Sequence, residues 1–204
     1  MTSMIKIITE RVPYLYACCD ALLTAEDIAS SMRFQHEPRR MEHLTWRRIV
    51  RRELGRNVAI SYNEVGAPVV NVPNTHISVS HGAGMVAVAI ADCPVGIDIE
   101  SLERNFERVA ERYMSTEERG LSDDCHWPAM VWCSKEAMYK LFGRRGVELS
   151  QELKIESYNS EQQRIVGTLR DATNKTLCLA QATIEIQIIE EETIVAVATI
   201  NDSK

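Results

Sequence analysis

The 204-residue chain is 45% hydrophobic and 25% charged, with a formal net charge of −6. It has enough apolar material for one sizeable core or two small domains, and its acidity argues against a general nucleic-acid binder. No run approaches the length of a membrane span, and the stretch from Met1 to Lys6 lacks a signal peptide's basic-then-apolar layout. Six cysteines (Cys18, Cys19, Cys93, Cys125, Cys133, Cys178) show no CxxC and no regular spacing, so reduced thiols in a cytoplasmic protein without membrane contact are expected. Cys125-His126 has no second ligand pair to complete a zinc site.

In chain order, residues 5–19 read as one or two strands with an apolar bias. A short helix is expected from Thr24 to Phe34, with Thr24 as N-cap and Glu26 and Asp27 in its first turn. A longer one runs from about Pro38 to Gly55, where Trp46, Ile49, Val50 and Leu54 recur at spacings of three and four as a buried stripe. Seven arginines lie in or near it. Arg48 and Arg52 fall on its far, solvated side, whereas Arg47 and the Arg39/Arg40 pair are placed to reach a cleft and hold phosphate. The segment from Ile60 to Pro68 reads as strand, turn and extended chain, and His76 to Gly82 as an alternating strand ending in Ser80-His81-Gly82.

The chemistry concentrates in two stretches. Pro94-Val95-Gly96-Ile97-Asp98-Ile99-Glu100 alternates strictly, which puts Asp98 and Glu100 on one face of a strand. Like charges on one face need a reason; a hard divalent cation with oxygen ligands is one, and acids simply facing water is the other. Trp132-Cys133-Ser134-Lys135-Glu136-Ala137-Met138-Tyr139-Lys140 reads as helix, preceded by Pro128 and ended by Gly143. Trp132, Glu136 and Lys140, four apart, share one face, and Val131, Ser134, Met138 and Leu141 line a core face. Glu136 and Lys140 could form a surface ion pair, or a third acid and a phosphate partner beside the strand.

Between them, Phe106 to Tyr113 and a second start near Ser115 read as helices, with Tyr113-Met114-Ser115-Thr116-Glu117-Glu118 structural. The remainder is β-rich. Leu153–Tyr158, Arg164–Arg170, Thr176–Ile189 and Thr193–Ile200 are separated by polar turns as in an antiparallel meander. The segments starting at Met85 and Ile194 agree at four of eight positions, 109 residues apart, which suggests two related halves.

Gly96-Ile97-Asp98 with Trp132-Cys133-Ser134-Lys135-Glu136-Ala137 and Lys140 resembles the two-part signature of the 4'-phosphopantetheinyl transferase superfamily. The 33 residues between Asp98 and Trp132 are somewhat fewer than the family pattern. The length resembles the single-chain, surfactin-synthetase-activating branch and implies a monomer. The implied fold is α+β, two similar subdomains about a pseudo-twofold axis, each an antiparallel sheet packed with helices. The halves would be residues 1–100 (basic helix, Ser-His motif) and 101–204 (Lys-Glu helix, meander).

The implied reaction moves 4'-phosphopantetheine from coenzyme A to a serine of an apo acyl or peptidyl carrier protein, with Mg2+. By that resemblance Asp98, Glu100 and Glu136 hold the metal, Glu136 and Lys140 are catalytic, and Arg40, Arg47, Ser80, His81, Lys135 and Lys140 bind the coenzyme. Whether Glu136 is ligand, base or both stays open. The family's Gly-Lys-Pro segment has Ala67 in place of its lysine. Two other readings of the same acids also stay open: another Mg2+-dependent phosphoryl-transfer enzyme, and a catalytically silent carrier-binding module.

Overall fold

Strand β1 (Ile5–Arg11) opens the chain in a computed structural model that describes residues 4–14 and 20–200. The part of the first expected strand region at 15–19, with Cys18 and Cys19, lies outside the described residues, as does Asn201 of the repeated segment. Helix α1 (Ala25–Ser31) starts at the expected cap. Thr24 accepts from the Asp27 backbone N–H while the Asp27 carboxylate accepts from Thr24, a reciprocal capping box. Helix α2 (Glu37–Leu54) is long enough to carry a full apolar stripe, and Trp46, Ile49 and Val50 are buried on it.

A small hairpin, β2 (Ile60–Tyr62) and β3 (Pro68–Val70), leads into β4 (His76–Gly82) and β5 (Met85–Ala91). Strands β1, β5 and β4 form an antiparallel sheet in that order. Alternation along β5 divides its side chains: Val86 and Val88 meet α2, whereas Met85, Ala87, Ala89 and Ala91 turn to the opposite face.

The acidic strand β6 (Val95–Ser101) comes next, followed by a 3-10 turn at Glu107–Arg112, α3 (Thr116–Arg119) and α4 (Trp127–Phe142). Strands β7 (Leu153–Asn159), β8 (Arg164–Arg170), β9 (Cys178–Ile189) and β10 (Thr193–Ile200) complete a five-stranded antiparallel sheet in the order β6-β10-β9-β8-β7. The expected meander is present with nearly the expected bounds; only β9 starts later, at Cys178. Ala182, Ile184 and Ile186 of β9 are buried against α4 and alternate with exposed residues on the wet face. Among the described residues no helix is long and apolar enough to cross a membrane.

Both halves follow one plan within this α+β architecture. A first strand (β1 or β6) pairs antiparallel with the last strand of its half (β5 or β10), which in turn pairs with the strand before it. The near-repeated segments are therefore the equivalent strands β5 and β10. Their apolar sides meet, with Ala87 and Ala89 in one cluster with Ile97, Ile99, Val195 and Val197. Because β6 belongs to the five-stranded sheet, the chain passes from the three-stranded to the five-stranded sheet between Ala91 and Val95.

Buried ion pairs tie elements together in both halves. Asp27, wholly buried in α1, accepts from Arg47 at 2.7 Å and from Arg51 at 2.5 Å, both on α2. Arg51 also donates to the Arg56 and Val58 carbonyls and so closes the chain after the helix. Burial alone would raise the Asp27 pKa, but hydrogen bonds from Arg51, Thr24 and Arg47 outweigh it and hold the carboxyl well below its usual range. In the second half Glu118 of α3 binds Lys135 of α4 at 2.8 Å with both side chains buried. Removing one partner of such a pair typically costs about 3–5 kcal/mol, because the other charge is left bare.

His43 of α2 is buried between Phe34 and Trp46, and burial, then the Arg47 charge, depresses its pKa to about 4. The unfolded chain, with a histidine near 6.5, binds the proton first. Stability from this group is complete above about pH 6.5 and is lost as pH falls toward 4; Asp27 adds a further loss at lower pH. In urea melts, His43→Gln should flatten the slope between pH 4 and 6.5. An unchanged slope would assign the acid sensitivity elsewhere.

Candidate active site

Gly96 brings the two signature stretches together. A Cβ there would lie 2.0 Å from the Ala137 carbonyl oxygen and 2.7 Å from the Leu141 nitrogen, so only glycine lets α4 rest directly on β6. With Ile97 and Ile99 committed to the inter-sheet core, alternation turns Asp98 and Glu100 toward that helix.

Asp98 is buried, and its Oδ1 accepts from Lys140 Nζ and from Ser80 Oγ, each at 2.7 Å. Lys140 Nζ also donates to the Ile97 carbonyl at 2.9 Å. Oδ2 of Asp98 is buried without a hydrogen-bond partner. The Cys133 thiol packs on the same carboxyl, and burial, then Asp98, pushes its pKa well up, which keeps it protonated. Glu100 Oε1 accepts from Arg104 and from Trp132 Nε1, both at 2.8 Å. Half-buried Glu136 feels both acids: burial first, then the charge on Asp98, raises its pKa, Lys140 opposes, and Glu100 adds to the rise.

Among the described residues, no three His, Cys, Asp or Glu side chains already converge as an ion-holding group. The donor set nevertheless fits a hard divalent cation. Its groups are carboxylates, one oxygen is buried and unpartnered, and magnesium commonly takes one or two protein carboxylates and fills its shell with water and phosphate.

The next residue along β4, His81, faces a cavity of about 320 Å³ lined by Arg33, Phe34, Arg39, Trp46 and Tyr62 among others. Arg39 Nη1 stands 2.8 Å from His81 Nδ1 and equally close to Glu42. Burial lowers the His81 pKa; Glu42 opposes this, and Arg39 and Lys140 reinforce it. Arg33 lies over the rings of Phe34 and Tyr62, at 5.2 and 5.3 Å from their centroids. Guanidinium groups beside aromatic faces suit a phosphorylated nucleotide. A second cavity of about 220 Å³, floored by Ala67, Pro68 and Val79, opens beside Lys140.

A family model described as the 4'-phosphopantetheinyl transferase superfamily matches residues 94–198, just over half of the chain. The chain belongs to that superfamily. Among curated proteins it is 38% identical over 88 residues to 4'-phosphopantetheinyl transferase psf-1 of Bacillus pumilus, covering 39% of this chain and 37% of that protein. It is 27% identical over 95 residues to 4'-phosphopantetheinyl transferase ffp of Bacillus subtilis, covering 43% and 42%. The matched region thus spans about two-fifths of the length of those relatives.

Of the residues that the superfamily signature singled out, Asp98, Glu100, Glu136, Lys140 and Ser80 gather at the β6–α4 contact, with His81 next to them. Three others lie elsewhere. Lys135 is wholly buried, donating to Glu118, Tyr113 O and Leu149 O, because the residue before Glu136 turns about 100° around the helix. Arg47 faces Asp27 instead of a cleft. Arg40 donates to the Phe34 carbonyl and braces the connection between α1 and α2. None of these three side chains lines the cavity at His81.

Of the expected Arg39/Arg40 pair, Arg39 lines the cavity, where Arg39, His43 and Trp46 follow one another at four and three and share a face. Trp132 was visible as the residue one turn ahead of Glu136. Arg104 follows β6 in a loop, where no periodicity marks it.

Proposed function

We propose that this protein transfers the 4'-phosphopantetheine group of coenzyme A to a serine of an apo carrier protein, with Mg2+, as a cytoplasmic monomer. Superfamily membership supports the reaction, and the site residues support its parts. The observation that carries the reading is the Asp98 carboxyl, with one oxygen held by Lys140 and Ser80 and the other buried and unpartnered, next to an arginine-lined cavity.

Asp98, Glu100 and Glu136 would hold the ion, which when bound neutralises charge on the pyrophosphate. Arg33, Arg39 and neutral His81 hold the nucleotide end of the coenzyme by charge-assisted and polar hydrogen bonds. Lys140 directs its ammonium at the phosphates and keeps Asp98 in place. The carrier's serine oxygen forms a bond to the β-phosphorus, and the bond from that phosphorus to the bridging oxygen breaks. Glu136, beside Asp98 and Glu100, takes the serine proton, and adenosine 3',5'-bisphosphate leaves.

Calorimetric titration of coenzyme A tests the arrangement. Arg39→Ala should weaken binding about tenfold or more, the scale of one hydrogen bond to a charged group. Arg40→Ala should weaken it far less and instead lower the melting temperature. Equal losses from both would return the coenzyme contact to Arg40.

A further inference from the structure

Glu100 is held differently from Asp98. Among the described residues its hydrogen bonds fall on Oε1, from the indole N–H of Trp132 and the guanidinium of Arg104. Both donors pack on aromatic rings. The Arg104 guanidinium lies 5.0 Å from the Trp132 ring centroid and 4.9 Å from that of Phe106. Trp132 packs edge-on against buried Tyr113, with centroids 5.1 Å apart, and tilted against Phe106 at 6.4 Å. Tyr113 is itself anchored by its hydroxyl, which donates to the Pro128 carbonyl at 2.9 Å. An aromatic wall from the two ends of the 3-10 turn and from α4 therefore backs an arginine and an indole on one carboxylate oxygen.

An isolated surface ion pair contributes little and needs no such support. Here two donors lock one oxygen and leave the second oxygen of Glu100 as the one available to a ligand. We infer that Trp132 and Arg104 are positioning residues that orient Glu100 as a cation ligand. The inference rests on the proposed function, in that a divalent ion binds at the β6 carboxylates. Arg104 carries a positive charge, so simple repulsion of the ion would make its removal strengthen cation binding. Positioning predicts the opposite sign, which separates the two effects.

The probe is Mn2+, titrated into the protein without coenzyme and followed by electron paramagnetic resonance of the free ion. Trp132→Phe keeps the ring packing and deletes only the donor. Arg104→Gln changes a partly exposed side chain and serves as the second variant should the first fail to fold. Each should raise the Mn2+ dissociation constant about tenfold or more, as loss of a group supporting a metal ligand commonly does. The Mn2+ concentration giving half-maximal transfer should rise in parallel. A purely structural role would lower the melting temperature and leave the dissociation constant unchanged, and that result would overturn the inference. Tighter binding in Arg104→Gln would also overturn it. Asp98→Asn separates the two levels: if it abolishes Mn2+ binding while both other variants bind normally, only the positioning role fails. If it binds Mn2+ like the parent protein, the cation is not at this site and the functional reading fails with it.

Discussion

Asp98→Asn should abolish measurable transfer while leaving the fold in place. The change is nearly isosteric, and an amide oxygen can still accept from Lys140 or Ser80 where the carboxylate Oδ1 does now. It removes the negative charge at the only carboxyl in the cluster with a buried, unpartnered oxygen. Loss of even a group that supports a metal ligand costs roughly 10–100-fold, so loss of a ligand itself should exceed about 100-fold in turnover. The variant should also lose cation-dependent coenzyme binding, read by calorimetry with and without EDTA. Unchanged binding would remove Asp98 from the cation site.

Gly96→Ala should be the most damaging single-methyl change in the chain. The added carbon would sit 2.0 Å from the Ala137 carbonyl oxygen, and both atoms belong to rigid elements. Overpacking a core usually costs about 1–3 kcal/mol, and a clash with helix backbone belongs at or beyond the upper end. Relief requires α4 to lift off β6, which carries Lys140 away from Asp98, so activity should fall together with stability. Gly120→Ala is the matched control: its nearest neighbour would be the Glu117 carbonyl at 3.5 Å, and its backbone is right-handed. Equal melting temperatures for the two variants would contradict the close approach.

Much of this site could be read from periodicity because β6 and α4 are regular and each commits one face to a core. Ile97 and Ile99 leave Asp98 and Glu100 no other direction, and Trp132, Glu136 and Lys140 share a helix face by spacing alone. The meander strands were equally legible, since their turns are polar and their alternation is clean. Partners across the fold were not. Helical spacing places Arg47 beside the apolar stripe, but whether a coenzyme or Asp27, 20 residues earlier, meets it depends on how α1 packs. Lys135 illustrates the converse. Its neighbour Glu136 drew it into the expected site, yet its own partner is Glu118, which the Ser115–Glu118 capping box fixes from the other side. Sheet membership was hidden for a related reason: β6 follows β5 closely in sequence but hydrogen-bonds to β10.

The central claim is tested most directly by the intact mass of an apo acyl-carrier protein after incubation with this protein, coenzyme A and Mg2+, with and without EDTA. The account predicts a gain equal to one phosphopantetheine on the carrier that disappears with EDTA and with Asp98→Asn. No gain on acyl, polyketide or peptide-synthetase carriers, with Mg2+-dependent coenzyme binding intact, would contradict it and leave a carrier-binding module that no longer catalyses transfer.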